Sequence, residues 1–92
     1  MRILVVEDQK KMSGFLKKGL QEVGYQVDVA ETGSAGETLA ADNPYDLILL
    51  DVNLPDQNGM DTARHFRSDG FKGPILMLTA LNTTKDKVRG LD

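Results

Sequence analysis

The sequence predicts an α/β domain built on a parallel sheet with helices on both faces. Three observations lead there. Short apolar runs alternate with segments of helical spacing along all 92 residues, in the order β-α-β-α-β-α-β-α. The runs are apolar on both faces, as strands covered from two sides must be. No repeat and no linker interrupts the alternation, so right-handed crossovers connect neighbouring parallel strands.

Ile3-Leu4-Val5-Val6 reads as a buried strand that stops abruptly at two acids, Glu7 and Asp8. Met12, Phe15, Leu16, Gly19, Leu20 and Val23 then follow at helical spacing, with Gly24 as the stop and the Met12 and Phe15 stripe assigned to the core. Gln26 to Ala30 reads as a second strand with Val27 and Val29 on one face. After Thr32-Gly33, the residues Ala35, Gly36, Leu39, Ala40 and Ala41 suggest a short helix that ends before Pro44. Asp46 to Leu50 is the third and most apolar strand, again stopping at an acid, Asp51. A loop with Pro55, Asn58 and Gly59 carries turn chemistry. Met60, Ala63 and Phe66 imply a third helix ending around Gly70. Pro74 opens a fourth strand, Ile75 to Leu78, which ends at Thr79-Ala80. Thr83 with Asp86 forms a capping-box-like start to a last helix, which would bury Val88 and Leu91.

The chain suits one small domain. Without cysteine it has no disulfide framework and no thiolate metal site, which fits a reducing compartment. Its apolar runs are far too short to span a bilayer, and the amino terminus lacks a secretory signal, so a cytoplasmic protein is expected. The net charge of −3 is mixed along the chain, with no basic cluster or aromatic platform. Direct nucleic-acid contact by this segment is therefore not expected.

In open parallel sheets, ligands sit beyond the carboxyl ends of the strands. Here those positions hold Glu7 and Asp8, then Asp51, then Thr79. An isolated acid at a strand end is most often a cap or a solvated residue, and Thr79 or Asn53 alone would signify nothing. Three carboxylates on one rim repel one another, and a hard divalent cation relieves that repulsion. Oxygen-only ligands favour Mg²⁺, Mn²⁺ or Ca²⁺ over zinc. Mg²⁺ commonly shares its remaining positions with phosphate oxygens, so the rim looks built for a phosphoryl group. Asp51, after the central strand, is the better nucleophile candidate. Glu7 and Asp8 are better placed to hold the cation, Asn53 could add its main-chain carbonyl, and Thr79 could bond a phosphoryl oxygen. His65, among Arg64 and Arg67, is expected to be solvent-exposed rather than catalytic, and Lys10, Lys11, Lys17 and Lys18 to line a solvated helix face.

Three stretches carry a resemblance: Val5-Val6-Glu7-Asp8; Asp46 to Pro55 with Asn58-Gly59-Met60; and Pro74 to Ala80. In that order they resemble the receiver domains of two-component response regulators over the whole chain. Tyr25-Gln26-Val27-Asp28 and Val88 to Asp92 are most similar to the OmpR/PhoB-like transcription-factor subclass, including its heavy-metal-responsive members. The resemblance implies a flavodoxin-like (CheY-like) doubly wound sheet of strand order 2-1-3-4. It also implies phosphoryl transfer from a sensor histidine kinase to Asp51, with Mg²⁺ (or Mn²⁺) organised by Glu7, Asp8, Asp51 and the Asn53 main chain. Thr79 would be the switch hydroxyl, Pro55 and Gly59 would shape the loop after the acceptor, and residues near Lys11 to Phe15 would belong to the kinase-docking face. Transcription would be controlled through a DNA-binding effector domain outside residues 1–92. Such a domain is a phosphoacceptor rather than an enzyme in the usual sense, and the resemblance implies that it can assist its own phosphorylation and dephosphorylation.

One departure stands out. The family continues with a fifth strand, ending in a lysine, and a fifth helix, whereas this sequence stops at Asp92. The domain is thus expected to be incomplete at its C-terminus, with Lys85 and Lys87 poor substitutes for that lysine. Ile75 to Leu78 would then be an edge strand, and self-association through that edge is expected. Three other readings compete. An aspartyl phosphatase would need an acid where Asn53 stands. A flavin or nucleotide module would need a phosphate loop after the first strand, and Gly33-Ser34-Ala35-Gly36 after the second is a weak signal. A receiver that serves only for association would need no phosphoryl chemistry at all.

Overall fold

The structure, a computed structural model, describes residues 1–78. Four parallel strands, β1 (Arg2–Val6), β2 (Gln26–Ala30), β3 (Leu47–Leu50) and β4 (Ile75–Met77), form one sheet in the order β2-β1-β3-β4. Helices α1 (Lys10–Glu22), α2 (Gly33–Asp42) and α3 (Gly59–Ser68) make the crossovers. Ile3, Val5, Val27 and Leu49 form one core beneath the α1 residues Leu16 and Leu20. Leu4, Val6, Ala30, Tyr45, Ile48, Leu50 and Phe66 form the other, with Leu39 and Ala40 of α2 and Ala63 of α3 against it. Each strand therefore feeds alternate side chains to opposite layers, which accounts for runs apolar on both faces.

The helix ends follow their local chemistry. Thr32 caps α2 by accepting from the Ala35 amide at 3.0 Å, and Asn58 caps α3 by accepting from Met60 at 2.7 Å. Gly24 (φ 96°) and Gly70 (φ 100°) follow α1 and α3 in the left-handed region, where a residue without Cβ stops a helix at least cost.

Some expectations need correction. Phe15, assigned to the core, is 74% exposed. On α1 the inward arc runs through buried Ser13 and half-buried Leu16 and Leu20, and Phe15 lies about 100° away from Leu16. On α3 the inward positions are Thr62, Ala63 and Phe66, with Met60 turned to solvent. β3 begins at Leu47, because Asp46 pairs instead with the Arg2 backbone, accepting at Oδ2 (2.8 Å) and donating its own amide (2.7 Å). β4 ends at Met77, although the Leu78 amide still donates to Leu50 O at 2.8 Å. Thr79 and the last helix expected from Thr83 lie outside the described residues.

Candidate phosphoryl and metal site

The sheet register positions the site. Val6 is level with Ala30 and Leu50, and Leu50 with Met77, so the strands stop in one row. The chain then steps past that row in parallel. The Glu7 amide donates to Ala30 O at 2.9 Å and the Asp51 amide to Val6 O at 3.0 Å, which sets the two acids side by side at the carboxyl ends of β1 and β3. Both are 1% exposed, while Asp8 is exposed. One carboxylate oxygen from each of Glu7, Asp8 and Asp51 lies within 4.8 Å of the others.

Burying two carboxylates together is costly unless a proton or a cation intervenes. Burial, and then the hydrogen bond with Asp51, push the Glu7 carboxyl up to about 8, against a lowering contribution from the Gln9 amide at 3.3 Å. Without a cation the pair thus holds a proton near neutral pH. The three donors are all oxygens, two of them buried at the strand ends and the third, Asp8, exposed, and such a set fits a hard divalent ion such as Mg²⁺.

The loop after Asp51 is closed at its base. Asn53 and Asn58 form an antiparallel bridge, the Gly59 amide donates to Val52 O at 2.7 Å, and the Asn53 amide donates to Asp51 Oδ1 at 3.1 Å. Gly59 is required here, because a Cβ at that position would stand 2.2 Å from Asp51 O and 2.6 Å from Val52 Cα.

Sequence reasoning missed Asp56. Its two carboxylate oxygens accept from the Gly33 and Ser34 amides at 2.9 Å each, at the first turn of α2. Those amides hold the Asp56 carboxyl below the ordinary carboxylate value. The Gly33-Ser34 turn is therefore already taken by the chain's own anion, which argues against a nucleotide phosphate there. An Asp after Pro in a loop gives no local clue to a partner 23 residues away. His65 is solvent-exposed on α3, and its Nδ1 lies 2.9 Å from Glu37 Oε2. Lys10, Lys11, Lys17 and Lys18 are exposed as expected. A cleft of about 730 Å³ among Ala41, Tyr45, Phe66 and Gly73 lies at the opposite end of the sheet, away from the acids.

Residues 3–92 match the response regulator receiver domain family. The chain belongs to that family. This receiver domain is 50% identical over 92 residues to the transcriptional regulatory protein CusR of Escherichia coli K12, covering 100% of this chain and 40% of that protein. It is 49% identical to the probable transcriptional regulatory protein SilR of Salmonella typhimurium over the same spans. The chain thus spans about 40% of the length of these relatives, which are of OmpR/PhoB type. Among solved structures, the non-phosphorylated HemR receiver domain from Leptospira biflexa superposes with a TM-score of 0.80 at 39% identity, over 98% of this chain and 73% of that one. The Francisella response regulator 1452 receiver domain gives 0.82 at 32% identity, over 98% and 74%. The receiver domain therefore has the CheY-like, flavodoxin-type architecture and is a signalling module rather than an enzyme in the usual sense. No helix among the described residues is long and apolar enough to cross a membrane.

Proposed function

We propose that this receiver domain accepts a phosphoryl group on Asp51 from a phosphohistidine of a sensor kinase. The observation that carries the reading is the pair of buried acids, Glu7 and Asp51, set side by side past one strand row with Asp8 beside them. Asp51 supplies the nucleophilic oxygen: an O–P bond forms as the donor's N–P bond breaks, and the leaving imidazole keeps the electron pair and takes a proton. Glu7, Asp8, Asp51 and the Asn53 main-chain carbonyl would hold Mg²⁺, which when bound offsets charge on the transferred group. An all-oxygen set also suits Mn²⁺. Thr79 is the hydroxyl that would bond a phosphoryl oxygen, and the pocket itself would assist gain and loss of the group.

The docking face for the kinase includes α1 from Lys11 to Phe15, whose lysine and aromatic side chains stand exposed. The whole protein would act in the cytoplasm and control transcription through a DNA-binding domain elsewhere in its length. β4 is the outer strand of the sheet among the described residues and Leu76 on it is 56% exposed, which favours self-association at that edge. A strictly monomeric chain in light scattering would sink that last point.

Intact-mass spectrometry after incubation with acetyl phosphate and Mg²⁺ tests the central reading. A single Mg²⁺-dependent phosphoryl adduct, absent from Asp51→Asn, is the expected result. No adduct, or an adduct that survives Asp51→Asn, would overturn it.

A further inference from the structure

The loop between β3 and α3 is held at two places. Its base is closed beside Asp51 by the Asn53–Asn58 bridge and the Gly59–Val52 hydrogen bond. Its tip is tied to a different element: Asp56 accepts from both Gly33 and Ser34 at 2.9 Å, and Gln57 Nε2 donates to Glu37 Oε2 at 2.7 Å. The tip lies so close to α2 that a Cβ on Gly33 would stand 2.2 Å from Gln57 Nε2 and 2.7 Å from Thr62 Oγ1. Only Leu54 and Pro55 separate Asn53 from this second anchor. Fixing both ends of so short a segment leaves the Asn53 backbone little freedom.

We propose that Asp56 is a positioning residue: by clamping the loop tip to the first turn of α2, it sets where the Asn53 main chain stands relative to Asp51. The inference rests on the reading of Asn53 and Asp51 as cation ligands. Asp56 itself would touch neither phosphoryl group nor metal. It acts through the backbone between Asn53 and itself, as outer-shell groups commonly orient a ligand they do not replace.

The same helix end supplies a control. Thr32 Oγ1 caps α2 through Ala35, so Thr32→Ala removes an acceptor from that terminus while leaving the Asp56 clamp in place. In the full chain, Mg²⁺ binding measured by calorimetry, below the onset of unfolding for every variant, should weaken roughly tenfold in Asp56→Ala. It should change by less than about twofold in Thr32→Ala, since loss of that cap acts on helix stability. Asp56→Asn, which keeps one acceptor oxygen, should fall between Asp56→Ala and the parent. Hydrogen exchange without metal supplies a second readout. The Asn53 and Gly59 amides should exchange faster in Asp56→Ala and as in the parent in Thr32→Ala. Equal weakening in the Asp56→Ala and Thr32→Ala variants would assign the effect to α2 and overturn the proposal. So would unchanged exchange at Asn53 and Gly59 in Asp56→Ala, whatever the metal does. A parent chain that binds no Mg²⁺ would remove the metal reading, and the exchange data would still decide the positioning.

Discussion

The Tyr45 hydroxyl donates a 2.6 Å hydrogen bond to Asp28 Oδ2, joining the lead-in to β3 with the middle of β2. The Arg2 guanidinium reaches the same oxygen at 3.1 Å and lies 5.3 Å from the centre of the Tyr45 ring. Three strands are thus tied together at the end of the sheet away from the acids. The Tyr45 bond, more than Arg2, holds the Asp28 carboxyl below its ordinary value of 3.8, against the opposing effect of burial.

Tyr45→Phe should lower stability by about 1 kcal/mol in urea unfolding, since the lost bond is to a charged group that is partly exposed. A depressed carboxylate contributes stability above its unfolded value, and that contribution is lost as the pH falls through the folded value. The acid arm of the stability curve, below about pH 4, should therefore be shallower in Tyr45→Phe than in the parent. Equal acid slopes would show that Arg2 alone holds Asp28.

Gly59→Ala forces a methyl into the backbone of Asp51 and Val52, atoms that cannot turn aside as a flexible side chain can. A loss of about 3 kcal/mol is expected, with weaker Mg²⁺ binding in whatever folds. Thermal unfolding and calorimetry would read the two effects separately.

Glu7 reverses the usual carboxylate sign. Its folded value is raised to about 8, so the metal-free chain binds its proton more tightly than the unfolded chain does. The stability this gives is complete below the ordinary value of 4.5 and is lost as the pH rises through about 8. In EDTA the stability should fall between pH 5 and pH 8 by on the order of 3 kcal/mol, read as a lower melting temperature. Glu7→Gln should flatten that slope, and saturating Mg²⁺ should flatten it in the parent. A pH-independent melting curve in EDTA would contradict the buried pair.

His65 should titrate above its ordinary value of 6.5, because the Glu37 carboxylate beside it favours the imidazolium. Its contribution to the α2–α3 contact is present at low pH and fades as the pH rises through the folded value. Glu37→Gln should bring the imidazole titration, followed by NMR, back toward 6.5.

The sequence was most legible where one short-range rule acts alone. The acids that stop β1 and β3 are visible because a both-face apolar run ends on each of them, and the parallel topology then places both on one rim. Gly24 and Gly70 are visible as helix stops for a similar reason. Phe15 misled because helical spacing gives an arc of positions but not which edge of the arc meets the sheet; Ser13 took the inward place. Asp56 was illegible because its partners, Gly33 and Ser34, become neighbours only once α2 and the β3–α3 loop are both folded onto the same layer.

The level strand row at Val6, Ala30, Leu50 and Met77 also governs where the chain can change length. Each residue advances a strand by about 3.3 Å and turns the next side chain to the opposite face. A single deletion within β1 or β3 would therefore pull Glu7 or Asp51 below the rim and point it into a layer of aliphatic side chains. An insertion between Gly70 and Pro74, where Lys72 is exposed, leaves the register of β3 against β1 untouched. Related chains of different length should thus carry their extra residues at the amino-terminal end of the sheet, with the distance from strand row to acid held constant.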